Sequence, residues 1–173
     1  NYMESYDVLE PDYFYHIFNR GNNREDLFRE KDNYNHFLKL LKKHILPIAD
    51  IYSYCLLKNH FHLLIKIKSL ENLKALGAIK SFRKLSQPFS NLFNAYTKAI
   101  NKRYNREGSL FKVRFKRKKI ESEEYLRNTI LYIHLNPEKH GLINNFENYK
   151  YSSYSSVLSK KTTSLSRDEV IEL

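Results

Sequence analysis

The chain has 173 residues, with 42% apolar and 28% charged side chains. That is the size of one domain able to bury a real core, and the composition excludes wholesale disorder. Its single cysteine, Cys55, excludes a disulfide framework and a Cys-rich zinc module, and the excess of 30 Lys and Arg over 19 Asp and Glu gives a net charge of +11.

In chain order, Tyr13 to Asn19 is aromatic and β-branched and predicts a first strand, followed by a turn at Arg20-Gly21-Asn22-Asn23. Asn33 to Ile45 places Phe37, Leu38, Leu40, Leu41 and Ile45 at helical spacing and stops before Pro47. Ile48 to Leu57 predicts a second strand, Lys58-Asn59 a hairpin turn, and His60 to Ile67 a third strand. Leu73 to about Tyr104 is helical in composition, and Pro88 divides it into two helices or kinks one. From Leu110 to Ile120, Phe111, Val113 and Phe115 alternate with Lys112, Arg114 and Lys116, which predicts a half-buried strand with a basic outer face. Ser122, followed by Glu123 and Glu124, caps a last helix that runs towards Pro137. Pro137 disfavours helical geometry at Asn136. The tail from Tyr149 is rich in Ser and Tyr and is expected to pack loosely. The resulting order, β-α-β-β-α-β-α, is the ferredoxin-like α+β pattern: an antiparallel sheet with helices on one face and an appended C-terminal helix. No linker or repeat divides residues 1–173, so a single domain is expected, its core at about 13–155.

Positive charge is concentrated in the middle of the chain. Residues 98–119 carry ten basic groups, Lys98, Lys102, Arg103, Arg106, Lys112, Arg114, Lys116, Arg117, Lys118 and Lys119, against the single acid Glu107. Such a segment suits a polyanion, and nucleic acid is the leading partner. Phe111, Phe115, Tyr96 and Tyr104 lie in or beside it, where they serve either as core or as stacking platforms for unpaired bases. No apolar run approaches the roughly 18 residues of a membrane span, and the acidic N-terminal residues lack the apolar stretch of a signal peptide. The cytoplasm is the expected location and no membrane partner is expected.

Two positions carry chemistry. In His60-Phe61-His62, strand alternation points both imidazoles to one face and Phe61 to the other. Two such imidazoles can clamp one divalent cation and leave coordination positions open. His-x-His also arises by chance in a chain with 7 His, so the pair alone leaves an incidental pair and a cation site both open. On the last helix Leu126, Ile130 and Ile133 share an apolar face, while Tyr125, Thr129, Tyr132 and Asn136 share a polar stripe. A phenol can attack a phosphodiester when a base or cation is near, and an amide four residues on could join a cation site. The other reading is that Tyr132 packs and Asn136 merely ends the helix.

Taken together, Lys58-Asn59-His60-Phe61-His62-Leu63-Leu64 and, far downstream, Tyr132-Ile133-His134-Leu135-Asn136-Pro137 resemble the single-tyrosine transposases of the HUH endonuclease superfamily, especially the REP-associated tyrosine transposases. Tyr15 to Phe28, Tyr104 to Phe111 and Tyr151-Ser152-Ser153-Tyr154 extend the resemblance to about residues 13–155. It implies a ferredoxin-like fold with the His pair on a central strand, Mg²⁺ or Mn²⁺ held by His60, His62 and Asn136, and Tyr132 as nucleophile. It further implies single-stranded DNA, often beside a hairpin, as substrate, a 5′-phosphotyrosine intermediate with a free 3′-OH, and a possible homodimer. Two rivals remain at this level. A ferredoxin-like sheet also describes RNA-binding modules, but the Gly and aromatic run of those domains is missing. A hydrolytic phosphoesterase would need more carboxylates than Glu71 and Glu107, the only two in residues 51–119.

Overall fold

The computed structural model describes residues 6–77 and 85–173. Four strands, β1 (Phe14–Arg20), β2 (Ala49–Leu57), β3 (His60–Ile67) and β4 (Lys116–Ile120), form one antiparallel sheet in the order β2-β3-β1-β4. This is the ferredoxin-like order, and it places the strand bearing His60 and His62 inside the sheet.

Alternation along β3 decides what each face carries. Phe61, Leu63, Ile65 and Ile67 are fully buried beneath α1 (Lys31–His44) and α3 (Gln87–Tyr104), with Phe37, Leu41, Phe93 and Tyr96 in the same core. Leu64 lies in a second, smaller core on the other face, with Cys55, Leu57, Ile120 and the apolar stripe Leu126, Ile130 and Ile133 of α4 (Glu123–Lys139). The appended helix therefore covers the sheet face that bears the histidines. Phe61 ring-packs against Phe37, Phe93 and Phe111. Phe61→Ala is expected to cost about 3–5 kcal/mol in urea denaturation, through lost burial and a residual cavity.

The short helix α2 (Leu70–Ala75) and α3 occupy the long helical stretch, with Pro88 in the first turn of α3, where a missing N–H costs nothing. The part of that stretch at 78–84 lies outside the described residues.

Three expectations are corrected. The basic segment does not form a continuous strand from Leu110: Phe111 makes an isolated bridge to Gly21, Val113 is 83% exposed, and the strand itself starts at Lys116. Arg114 takes a left-handed backbone (φ 62°), which breaks the alternation. Helix α4 continues through Pro137 to Lys139, so Asn136 stays helical; it closes on Gly141 (φ 65°), whose N–H donates to Glu138 O while Leu142 N–H donates to Pro137 O. The Ser- and Tyr-rich tail is docked along the edge strand β2. Tyr149 Oη donates to Leu56 O (2.8 Å), Tyr54 N–H to Ser153 Oγ (2.8 Å), and the Tyr151 ring stacks on Tyr34 at 3.5 Å. The tail thus covers backbone groups that an edge strand would otherwise expose. Beyond it lie two short helices, α5 (Tyr154–Leu158) and α6 (Arg167–Glu172).

Gly21 fixes the end of β1. A Cβ there would sit 2.0 Å from Glu25 O, so only glycine lets the chain fold back. Its N–H donates to Asn59 O in the β2–β3 turn (2.9 Å), holding Arg20 and Asn22 beside the histidine strand.

Candidate functional site

His60 and His62 lie on one face of β3, their ring centroids 5.4 Å apart and nearly perpendicular. Helix α4 brings Tyr132 to the same place: its ring stands edge-on to His62 at 5.5 Å and to His16 of β1 at 5.9 Å. Tyr132 is 38% exposed, whereas His62 is 6% exposed, so the phenol sits at the rim and the imidazole beneath it. The Lys139 ammonium lies 4.8 Å from the centre of the Tyr132 ring.

The histidines are held from behind. The Nδ1 of His60 is 2.7 Å from Asn59 Oδ1; an amide oxygen only accepts, so Nδ1 carries the proton and Nε2 keeps its lone pair. The Nδ1 of His62 is 2.9 Å from His16 Nε2. On its other side, Phe18, directly opposite in the β1–β3 register, stacks on His62 at 5.6 Å. His140 caps α4, and its ring meets that of His60 at 4.7 Å. Burial first, then the charges of His140 and Arg20, lowers the His60 pKa to about 4; burial and Lys118 do the same for His16. Burial first, then the neighbouring histidines, holds His62 well below the ordinary range. The rings are therefore neutral at pH 7, the form in which imidazole ligates a metal.

Asn136 is 1% exposed. Its Nδ2 donates to Tyr132 O (2.9 Å), and its Oδ1 is buried with no hydrogen-bond partner. An unpaired amide oxygen in such a position is costly unless something binds it, and a hard divalent cation is the type of group that would. Among the described residues no three His, Cys, Asp or Glu side chains cluster as a metal cage. Two adjoining imidazoles and, on α4, one unpaired amide oxygen are donors of the chemical type that suits a divalent ion with open positions.

A cleft of about 720 Å³ opens beside the histidines, lined by Arg20, Arg24, Lys112, Arg114 and Lys116 as well as His60, His62 and His140. Among the described residues no carboxylate lines it. Of the ten basic residues singled out from sequence, Lys112, Arg114 and Lys116 reach this cleft. Arg106 is instead paired with Glu25 through two nitrogens (2.8 and 2.7 Å), and Arg103 with Glu30 (2.7 Å) and Asp32 (3.6 Å). Lys119 binds Glu10, Lys118 lies over the Tyr125 ring, and the Arg117 guanidinium lies over Phe115. Lys98 and Lys102 are exposed on α3. Sequence reading missed His16, Asn59, His140, Arg20 and Arg24. His16 had a signal, since it shares the strand alternation of Phe18 and Arg20.

The family model described as "Transposase IS200 like" matches residues 11–136, a span that contains the His pair, Tyr132 and Asn136. No curated protein matches significantly. Among solved structures, the chain is similar to a REP-associated tyrosine transposase bound to a REP hairpin, with a TM-score of 0.72 and 16% identity over 91% of this chain and 87% of that one. A bacterial tRNA(His) guanylyltransferase-like protein in complex with GTP matches at a TM-score of 0.48 and 12% identity, over 83% of this chain and 73% of that one.

Proposed function

Because this chain belongs to the IS200-like transposase family, we propose that it cleaves and rejoins single-stranded DNA beside a hairpin, through a covalent 5′-phosphotyrosine on Tyr132. The observation that carries this reading is the position of Tyr132: half exposed, edge-on to His62, on the turn of helix that precedes the unpaired oxygen of Asn136.

The chemistry balances within the chain and its substrate. Tyr132 Oη attacks the phosphorus, the bond from phosphorus to the 3′ oxygen breaks, and the phenolic proton is replaced by the 5′-phosphate while the 3′ end leaves as a hydroxyl. Reversal by an incoming 3′-OH rejoins strands, so the phosphotyrosine conserves bond energy and no nucleotide is consumed. His60, His62 and Asn136 would hold one Mg²⁺ or Mn²⁺. When bound, such an ion supplies a Lewis acid beside the scissile phosphate. The buried rings of His16 and His62 against Tyr132 limit access of water to the linkage.

The cleft supplies binding. Arg20, Arg24, Lys112, Arg114 and Lys116, gathered along one cleft, suit a phosphate backbone. Affinity for single-stranded DNA is expected to fall steeply as salt rises, and Arg114→Ala to reduce the slope of log affinity against log salt by about 0.7. Fluorescence anisotropy across a salt series checks this. The direct test of function is incubation of the protein with end-labelled hairpin DNA carrying single-stranded flanks, plus Mn²⁺, read on a denaturing gel. A cut strand and a protein-linked strand are expected. Intact DNA at every flank sequence tested, with binding retained, overturns the reading.

A further inference from the structure

We propose that His16 is a positioning residue that fixes His62 in one tautomer, accepting its Nδ1 proton so that Nε2 is left as the donor nitrogen for a cation. The inference rests on the cation-site reading above and names a residue that reading does not use.

The geometry narrows the choices to two. His16 Nε2 and His62 Nδ1 are 2.9 Å apart, both rings are buried, and their planes are within 29°. One proton lies between these nitrogens. If His16 supplies it, His62 must carry its own proton on Nε2 and has no lone pair to give. If His62 supplies it, Nε2 is a free donor. The second arrangement matches the neighbouring ring: Asn59 Oδ1, which only accepts, already holds His60 in the form with Nδ1 protonated and Nε2 free. Both imidazoles then present the same nitrogen, each oriented from behind by a partner on Nδ1. An outer partner of this type sets the tautomer and direction of a ligating histidine, and its loss typically costs about 10–100-fold in metal affinity.

The sheet explains why the partner is His16. In the antiparallel register Phe18 is opposite His62 and His16 is opposite Leu64, so His16 reaches His62 diagonally along the same face. Phe18 stacks on His62 at 27°, which holds the ring against rotation about its own axis. A ring flip would also break the bond to His16. An apolar residue at 16 would leave a buried N–H on His62 without an acceptor, and the ring would then shift its proton or turn.

The test uses the full chain labelled with ¹⁵N-histidine, alongside His16→Phe, which keeps the ring volume, and His16→Gln, whose amide oxygen can accept. Long-range ¹H–¹⁵N correlation spectra of the metal-free protein report the tautomer of His62, identified by its loss in His62→Gln. Mn²⁺ titration followed by electron paramagnetic resonance reports affinity, and thermal melts confirm that each variant is folded. The expected results are Nδ1–H on His62 in the wild type, loss of that form in His16→Phe with affinity down about 10–100-fold, and affinity within a few-fold of wild type for His16→Gln. Protonation of His62 on Nε2 in the wild type overturns the proposal. So does wild-type affinity in His16→Phe, or equal loss in both variants, which would mark His16 as packing alone. A wild type that shows Nδ1–H but binds no Mn²⁺ would sink the cation reading while upholding the tautomer assignment.

Discussion

His60→Ala is expected to lower the rate of strand cleavage by more than about 100-fold while leaving affinity for single-stranded DNA within a few-fold of wild type. The two effects separate because different groups carry them. Under the proposed function affinity rests on the five cations of the cleft, which the substitution leaves in place. Under the same proposal cleavage needs both imidazoles as ligands; losing a direct ligand costs more than losing an outer partner, itself worth about 10–100-fold. His60 is only partly buried and begins β3, so the truncation removes ring contacts with His62 and His140 but opens no core cavity. Single-turnover cleavage with Mn²⁺, beside anisotropy with the same DNA, measures both quantities. Cleavage at the wild-type rate by His60→Ala would remove the histidine pair from the chemistry.

Tyr132→Phe is expected to eliminate cleavage and the covalent product altogether. The change deletes one oxygen and keeps the ring. The edge-on contact with His62, the contact with His16 and the cation–ring contact with Lys139 all involve the ring itself. The residue is 38% exposed, so stability should move by no more than about 0.5 kcal/mol. Tyr125, on the same helix, is the natural control. It lies in the first turn of α4, packs against the smaller core and meets Lys118, with no ring contact to His60 or His62 among those of the described residues. Tyr125→Phe should therefore leave cleavage unchanged within a few-fold. Tyr104 is a second control, bound to Glu30 and Asn33 on the far side of the sheet.

Much of this site was legible in local sequence, and what was not shares one cause. The bounds of β3 and the shared face of His60 and His62 follow from strand alternation, which is a two-residue property. The start of α4 follows from Ser122, whose hydroxyl does accept from Tyr125 N–H. That Tyr132 meets His62 depends on α4 packing on the histidine face of the sheet, a contact between segments 70 residues apart that no local pattern encodes. His16 is hidden for the same reason, since its partner lies on another strand. Counting charge by segment misled in both directions. Residues 1–50 are slightly acidic overall, yet their Arg20 and Arg24 line the cleft. Residues 98–119 are the most basic, yet Arg103 and Arg106 are neutralised by Glu30, Asp32 and Glu25 of that acidic segment. The tail looked loose because Ser and Tyr read as polar; in place, their hydroxyls satisfy the backbone and side chains of the edge strand and α4, as when Ser153 Oγ meets His134 Nε2 at 2.7 Å.

The most direct measurement is identification of the residue that carries the DNA. Protein is incubated with a hairpin oligonucleotide and Mn²⁺, the covalent complex is isolated under denaturing conditions, digested with protease and nuclease, and its nucleotide-bearing peptide sequenced by mass spectrometry. The account predicts a single modified peptide from α4 with the 5′-phosphate on Tyr132, and no modified peptide from Tyr132→Phe. A nucleotide on Tyr104, Tyr125 or any other side chain, or an adduct formed by Tyr132→Phe, would contradict it.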